Sequence, residues 1–130
     1  MIILDTSFIV SFLNRKDVHH PRALELLNDL DETEQLATHP LVLQETVTVI
    51  ARKCKEQNGN CREWLDKVHG FMSSLKIMEF SVETEEVLDI MVKAECELSY
   101  VDAVLVLANK HTRAPLFTFD RTLMAFCHKD

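Results

Sequence analysis

The sequence lacks the segments that direct a chain into or across a membrane. No stretch approaches the roughly 18 or more consecutive apolar residues that a membrane-spanning helix requires. The N-terminus is apolar, but it has neither the basic region nor the small-residue cleavage site of a signal peptide. We therefore expect a soluble, cytoplasmic protein with no membrane partner.

The cysteine and histidine spacings typical of zinc sites and disulfide frameworks are also missing. The chain has no C-x-x-C pair and no cysteine–histidine spacing typical of zinc sites. We expect buried or half-buried free thiols in a reducing compartment, with a disulfide between Cys54 and Cys61 as the alternative. His19 and His20 precede Pro21 at a predicted helix start, where capping or exposure to solvent is favoured over metal binding. The cysteines are Cys54, Cys61, Cys96 and Cys127.

Positive charge is in deficit. The chain has 14 lysines and arginines against 21 aspartates and glutamates, which gives a net charge of -7 at pH 7. This balance argues against a protein that coats nucleic acid by charge alone. An enzyme that binds nucleic acid through bridging cations and a few local basic residues is compatible with it.

The residues that are present are typical of one globular domain. The 130 residues are 47% hydrophobic and 27% charged, and a chain of this length buries a sizeable core. No internal repeat or low-complexity segment interrupts it. We expect a single domain, residues 1–130, without a linker.

The N-terminal run is the strongest local signal. Ile2, Ile3 and Leu4 follow one another without polar alternation, which is typical of a strand buried on both faces at the centre of a parallel sheet. Asp5 stands where this strand ends. In open α/β sheets, ligands bind in the crevice beyond the carboxyl ends of the strands, where the strand order reverses.

The hydrophobic pattern predicts strands and helices in the succession β-α-α-β-α-α-β-α-α-β-α, which implies a mostly parallel sheet in a three-layer α/β fold. After the first strand, the predicted strands are Gln35–Thr38, Lys76–Phe80 and Leu116–Phe119. The predicted helices are Ser7–Leu13, one from Pro21 to Leu30, Leu41–Lys53, Cys61–Leu75, one after Ser81 with Val87, Leu88, Met91 and Ala94 buried, one opened by Ser99, and Thr122–Cys127.

Four acidic residues have similar local settings. Asp5 and Asp120 each follow a strand-like run, whereas Glu45 and Asp102 lie near the starts of predicted helices. Strand ends and the helix starts that follow them share one edge of a parallel sheet, so all four acids can point into one cavity. Gathered carboxylates raise one another's pKa and are tolerated where a hard divalent cation binds. Mg²⁺ or Mn²⁺ takes oxygen ligands and promotes phosphodiester hydrolysis.

Each acid also has a purely structural interpretation. Asp5 and Asp120 fit N-caps of the helices that follow them. Asp102, three residues after Ser99, fits a capping box, and Glu45 fits a solvated helix position. These interpretations stay open singly, but they do not predict four acids at one edge of one sheet.

The acids lie in four runs that resemble the acidic motifs of PIN-domain nucleases. Their order, their spacing and the neighbouring hydroxyl residues are most similar to the VapC-type toxins of prokaryotic toxin–antitoxin pairs, and the resemblance covers nearly the whole chain. The runs are Leu4-Asp5-Thr6-Ser7, Leu43-Gln44-Glu45, Tyr100-Val101-Asp102-Ala103 and Phe117-Thr118-Phe119-Asp120-Arg121.

The resemblance implies a three-layer α/β/α fold with four or five strands and a Mg²⁺- or Mn²⁺-dependent endoribonuclease for single-stranded or loop RNA. It also implies an antitoxin protein as partner. The family commonly continues to a fifth strand, whereas only ten residues follow Asp120 here. By this match the catalytic metal ligands are Asp5, Glu45, Asp102 and Asp120, and the hydroxyls that support them or contact phosphate belong to Thr6, Ser7 and Thr118.

Other function classes fit less well. A haloacid-dehalogenase-like phosphatase needs a second Asp two residues after the first, where this chain has Ser7. A response-regulator receiver needs an acidic pair before its phospho-acceptor and a late lysine, and neither is evident. A non-catalytic PIN-like binding module and a housekeeping RNA-processing nuclease stay open as alternatives.

Basic residues and amphipathic helices suggest further contacts. The helices at Pro21–Leu30 and within 53–75 are candidates for a homodimer interface, with packing in the chain's own core as the alternative. Two sets of basic residues are candidates for contact with the RNA backbone, with plain solvated surface as the alternative. One set lies around the Asn58-Gly59 turn and comprises Arg52, Lys53, Lys55 and Arg62; the other lies nearer the acids and comprises Arg15, Lys16 and Arg121.

Overall fold

The computed structural model describes residues 1–79 and 81–127, and its elements follow the predicted alternation. The strands are β1 Ile2–Leu4, β2 Leu36–Thr38, β3 Lys76–Ile77 and β4 Leu116–Phe117. The helices are α1 Thr6–Leu13, α2 His20–Asn28, α3 Pro40–Glu56, α4 Cys61–Met72, α5 Thr84–Lys93, α6 Tyr100–Thr112 and α7 Arg121–Cys127.

The strands form one parallel sheet in the order β3-β2-β1-β4. β1 has a neighbouring strand on each side, and Ile2, Ile3 and Leu4 are all buried. Their uninterrupted apolar character suits this position because helices cover both faces of a parallel sheet. The predicted three-layer α/β/α fold with a parallel sheet is confirmed, and the described part of the sheet has four strands.

The helices form two packed groups, and the strand order explains where a ligand site forms. In one group α1 contacts α2 and α3, and α3 contacts α4, whereas in the other α6 contacts α5 and α7. The strand order runs from β1 through β2 to β3 and then returns past β1 to β4. The reversal therefore lies between β1 and β4, and ligands bind beyond the strand ends at such a reversal.

Caps fix the starts of the helices around this reversal. Asp5 caps α1 by accepting a hydrogen bond from the Phe8 amide, at 2.8 Å. At α6, Ser99 and Asp102 form a capping box, in which each side chain accepts a hydrogen bond from the other residue's backbone N–H. Because both helix starts are fixed, the acids beside them have defined positions.

The buried face of α5 differs from the prediction. Leu88 is 49% exposed, whereas Val87 and Ile90 are buried together with Ala94 just beyond the helix. The buried positions recur after three and four residues, which is the helical repeat. Leu88 is displaced from that face, so its predicted burial is wrong.

The third strand is shorter than predicted. It comprises Lys76 and Ile77, which are both exposed because β3 is the edge strand of the sheet. Phe80, the predicted end of this strand, lies outside the described residues. None of the described helices combines the length with the apolar character that a membrane-spanning helix needs.

All four cysteines are free thiols, so the alternative of a Cys54–Cys61 disulfide is excluded. Cys54 is buried and Cys127 is half-buried, as expected. Burial is wrong for the other two, which are exposed. Cys61 is the first residue of α4, and Cys96 follows α5 in a turn with a left-handed backbone, φ 62°.

Candidate active site

The four acids predicted from the sequence line a single cavity of about 570 Å³. This cavity, here called the acid cleft, lies at the carboxyl ends of β1 and β4 and is bordered by α1, α3 and the start of α6. The topology explains the gathering, because strand ends and helix starts share this edge of the sheet. The acids that meet there are Asp5, Glu45, Asp102 and Asp120.

Asp5 is the most buried of the four, with 3% of its surface exposed. It accepts hydrogen bonds from the Phe8 amide, from the Ser7 hydroxyl and from the Thr118 hydroxyl. Its pKa is raised to about 6, chiefly by burial and to a small extent by the charge of Asp102, against the opposing effect of the three hydrogen bonds. Asp5 is thus a carboxylate whose position is fixed by three hydrogen bonds and whose ionised form is disfavoured by burial.

Ser7 and Thr118 connect the start of the chain to the segment after β4. Thr118 donates to Asp5 Oδ2 at 2.5 Å and accepts from the Asp120 amide at 2.9 Å. Ser7 Oγ donates to Asp5 at 2.8 Å and accepts from the Phe119 amide at 3.0 Å. The hydroxyls therefore fix the position of Asp5 relative to Asp120.

Asp120 and Asp102 each combine a capping role with a place in the acid cleft. Asp120 Oδ1 accepts from the amides of Thr122 and Leu123 at the start of α7, at 2.9 and 3.1 Å. Asp102 belongs to the capping box of α6. The structural interpretation is therefore correct for Asp5, Asp102 and Asp120, and it coexists with their shared cavity.

The acids also influence one another electrostatically. Burial raises the pKa of Asp102, and the charges of Asp120 and Glu45 add to this rise, against the hydrogen bonds with Ser99. Glu45 is half-buried on α3 and lines the same cleft. The cleft thus concentrates negative charge that a bound cation would relieve.

The donor set fits a hard divalent cation, although the ligands are not preassembled. Carboxylate oxygens are the donors that Mg²⁺ and Mn²⁺ prefer. Among the residues that the structure describes, no three His, Cys, Asp or Glu side chains stand together as a ready metal site. The buried Thr6 hydroxyl lines the same cavity and has no hydrogen-bond partner within the described residues. An oxygen without a partner beside four carboxylates fits a site for a hydrated cation or a phosphate.

The predicted basic residues separate into three locations. Lys53 lines the acid cleft, and Arg121 is exposed beside Asp120. Arg15 and Lys16 line a second cavity. The remaining candidates, Arg52, Lys55 and Arg62, are exposed and line neither of these cavities.

Sequence reasoning missed Asp17, His19 and Phe119, which also line the acid cleft. The His19 and Phe119 rings stack at 4.5 Å between centroids with an interplanar angle of 6°. Asp17 accepts from the His19 amide and the Ser11 hydroxyl. Solvent exposure was predicted for His19, and it is exposed, but no local pattern signals a contact that joins the loop before α2 to the loop after β4.

Comparison with protein families gives one match. The model of the PIN domain family matches residues 2–129. No curated protein sequence matches the chain.

Three solved structures resemble the chain over nearly all of its length. VapC20 of Mycobacterium tuberculosis, described as a Sarcin-Ricin loop cleaving toxin, has a TM-score of 0.78 and 24% identity over 96% of this chain and 94% of its own. PAE2754 of Pyrobaculum aerophilum has a TM-score of 0.73 and 20% identity, and the match covers 96% of this chain and 78% of PAE2754. VapBC2 of Rickettsia felis, bound to a DNA fragment from its promoter, has a TM-score of 0.67 and 21% identity. This match covers 97% of this chain and 93% of the VapBC2 chain. At these identities the likeness shows the fold.

Proposed function

The chain belongs to the PIN-domain family, and from this membership we propose that it is a metal-dependent endoribonuclease acting on single-stranded or loop RNA. The observation that carries the proposal is the meeting of Asp5, Glu45, Asp102 and Asp120 in the acid cleft. Three of these acids would serve as caps anywhere on the surface, but only a cation-dependent site gives a reason to keep four of them together.

In this proposal the four acids hold Mg²⁺ or Mn²⁺. The bound ion supplies positive charge that stabilises the phosphate oxygens and eases deprotonation of the attacking water. Asp102 and Asp120 have orientations fixed by their caps, and Asp5 is fixed by Ser7 and Thr118. These three carboxylates would hold the ion, and their fixed helix starts and hydrogen bonds would limit the side-chain rearrangement that binding requires.

The remaining polar groups of the cleft bind the substrate. The partnerless Thr6 hydroxyl donates to a phosphate oxygen, and Lys53 contacts the RNA backbone. Ser7 and Thr118 act through Asp5, because both hydroxyls are already engaged with it. Arg121, exposed next to Asp120, is a further backbone contact.

We also propose that the protein is the toxin of a toxin–antitoxin pair. The structure of VapC20, described as a Sarcin-Ricin loop cleaving toxin, supports this proposal through the shared fold, as does that of VapBC2, bound to a DNA fragment from its promoter. A cognate antitoxin is then the protein partner. A homodimer, proposed from the amphipathic helices α2 and α4, is tested by light scattering, where a monomer at high concentration contradicts it.

The experiment is cleavage of end-labelled single-stranded RNA with Mg²⁺ or Mn²⁺ and with EDTA. We expect cleavage only with the ion, and a loss of more than about a hundredfold in Asp5→Asn and Asp102→Asn. Asp89→Asn is the matched control because Asp89 is an exposed acid on α5, outside the cleft. Full cleavage by both cleft variants, with the fold retained, removes the proposal.

A second candidate function rests on the caps. Because Asp5, Asp102 and Asp120 all stabilise helix starts, a non-catalytic PIN-like binding module would retain them for stability alone. Such a module binds RNA without cleaving it, with or without the ion. A housekeeping nuclease is distinguished from a toxin by induced expression, which stops growth only in the case of a toxin.

A further inference from the structure

A second cavity, of about 400 Å³, differs from the acid cleft in charge. Its rim carries three cations, Arg15, Lys16 and Lys67, against one acid, Glu63, and its wall includes the half-buried indole of Trp64. A concentration of positive charge is unusual in a chain of net charge -7. We call this cavity the Trp64 pocket.

The pocket is built from fixed parts. Lys67 Nζ on α4 donates to the carbonyl oxygen of Leu13, the last residue of α1, at 2.8 Å. This contact places a positive charge at the C-terminus of a helix, where the helix dipole favours it. Gly59 lies against the indole so closely that a Cβ there would stand 2.7 Å from Trp64 Nε1. Both the lysine and the tryptophan therefore have defined positions before any ligand binds.

The Trp64 pocket continues the path of the acid cleft. Both cavities lie against α1 and α3: Val49 and Lys53 border the cleft, and Ile50 and Gln57 border the pocket. Helix α1, whose eight residues Thr6–Leu13 lie between the acid cleft and the Trp64 pocket, is about 12 Å long. That span equals a few nucleotides of an extended strand, so a single chain of phosphates can occupy both cavities.

We propose that the Trp64 pocket is a second RNA-binding subsite, which accepts one nucleotide of the substrate strand away from the scissile bond. Arg15, Lys16 and Lys67 bind its phosphate, and its base stacks on the Trp64 indole. This inference rests on the proposed function, since it assumes an RNA substrate. It extends that function by adding a binding site for a flanking nucleotide that takes no part in the cleavage reaction.

The composition of the pocket favours RNA over an acidic peptide. A peptide carboxylate would use the three cations, but it would leave the indole without a partner. Nucleotides use both, because every base has a flat face that stacks on an aromatic ring and every phosphate binds Arg or Lys. The same pairing of positive charge with an aromatic surface recurs in proteins that bind single strands.

Binding is tested without cleavage. Trp64 is the only tryptophan in the chain, so intrinsic fluorescence reports on this pocket directly. The protein is titrated with short oligouridylate in EDTA, which prevents metal-dependent hydrolysis. We expect saturable quenching that weakens as salt is added.

The variants identify the groups involved. In Arg15→Ala/Lys16→Ala the bound phosphate loses two of its three cations, so the slope of log affinity against log salt falls by about 0.7. The matched control is Lys93→Ala/Lys110→Ala, which removes the same charge from exposed positions on α5 and α6, and its slope is unchanged. With a labelled oligonucleotide and anisotropy as the readout, Trp64→Leu weakens binding about tenfold and Trp64→Phe by less.

Three results overturn the proposal: no quenching of Trp64 by oligouridylate, equal salt slopes in the two double variants, or quenching by oligoglutamate but not by oligouridylate. The cleavage assay is independent of all three. Quenching as expected in a protein that cleaves no RNA supports the pocket and rejects the nuclease. Cleavage by a protein whose tryptophan does not respond rejects the pocket alone.

Discussion

At the scale of single residues, Thr118 is the side chain on which the geometry of the acid cleft depends most directly. It is 7% exposed, donates to Asp5 and accepts from the Asp120 amide. Its hydroxyl is therefore the shortest link between two acids that are 115 positions apart in the chain. Removing that hydroxyl takes one of three hydrogen-bond donors from the buried Asp5 carboxylate and removes the acceptor of the Asp120 amide, which is costly in a protein interior.

Thr118→Val keeps the shape of the side chain and removes the hydroxyl. We expect the free energy of unfolding to fall by about 1–3 kcal/mol, measured by urea denaturation, and RNA cleavage to fall with it. Thr118→Ser retains both bonds and most of the stability. Thr48→Val is the matched control because its hydroxyl bonds to a helix carbonyl on the exposed side of α3; an equal loss there would mean that Thr118 has no special role.

The cysteines give a second residue-scale prediction. Burial raises the pKa of Cys127 to about 11, and the charges of Asp5 and Asp102 contribute to the rise. The reactive thiolate is therefore scarce at pH 8, and its fraction grows only as the pH approaches 11. We expect iodoacetamide at pH 8 to label the exposed Cys61 and Cys96 before Cys127, as measured by mass spectrometry of peptides. Early labelling of Cys127 would contradict this environment.

At the scale of elements, α6 shows how one acid serves two purposes. Its capping box binds Asp102 to the N-terminus of the helix, and residues 103–108 are buried without interruption. The helix is therefore held by the core along its length and by the box at its start. The box also orients the Asp102 carboxylate at the edge of the cleft.

Ser99→Ala removes the cap while leaving Asp102 in place. We expect a loss of about 1 kcal/mol in the free energy of unfolding, with the fold retained, and a larger relative loss of cleavage because the carboxylate is no longer held. Ser99→Thr, which keeps the hydroxyl, is the control and retains both properties. Unaltered cleavage in Ser99→Ala would show that the box does not orient the acid.

The order of the elements was predictable from the sequence, and several contacts were not. Uninterrupted apolar residues predict β1, and proline or serine at helix starts predicts α3 and α6, because these signals are local. The stack of His19 on Phe119 joins segments that are 100 positions apart. The contact of Trp64 with Gly59 spans only five positions, but it depends on the conformation of the turn between α3 and α4, which no local pattern specifies. The predicted burial of Leu88 was wrong because the buried face of α5 depends on how that helix is rotated against α6. The sequence of α5 alone does not specify this rotation.

At the scale of the whole molecule, the reversal of strand order gathers negative charge in one place. The capping roles of three acids were open to inference from short patterns, but their shared cavity depends on the parallel sheet order. That order follows from the alternation of strands and helices, which the sequence displays plainly. The site was therefore more predictable through topology than through any single motif.

Divalent ions should stabilise the whole protein through this cleft. A ligand that binds only the folded state raises the melting temperature by mass action, so we expect an increase with MnCl₂ that exceeds the effect of NaCl at equal ionic strength. Asp102→Asn should lose this increase, and Asp89→Asn should keep it. The measurement is thermal unfolding followed by circular dichroism; equal shifts in both variants would place ion binding elsewhere.

The hydrogen bond from Thr118 to Asp5 joins residues separated by 113 positions. On the ribosome, Asp5 is synthesised long before its hydrogen-bond partner Thr118. The edge of β1 that pairs with β4 likewise has no neighbouring strand until β4 has been synthesised. A nascent polypeptide thus lacks a complete cleft until the segment that follows β4 has been synthesised. Until then the Asp5 carboxylate has no Thr118 hydroxyl to orient it.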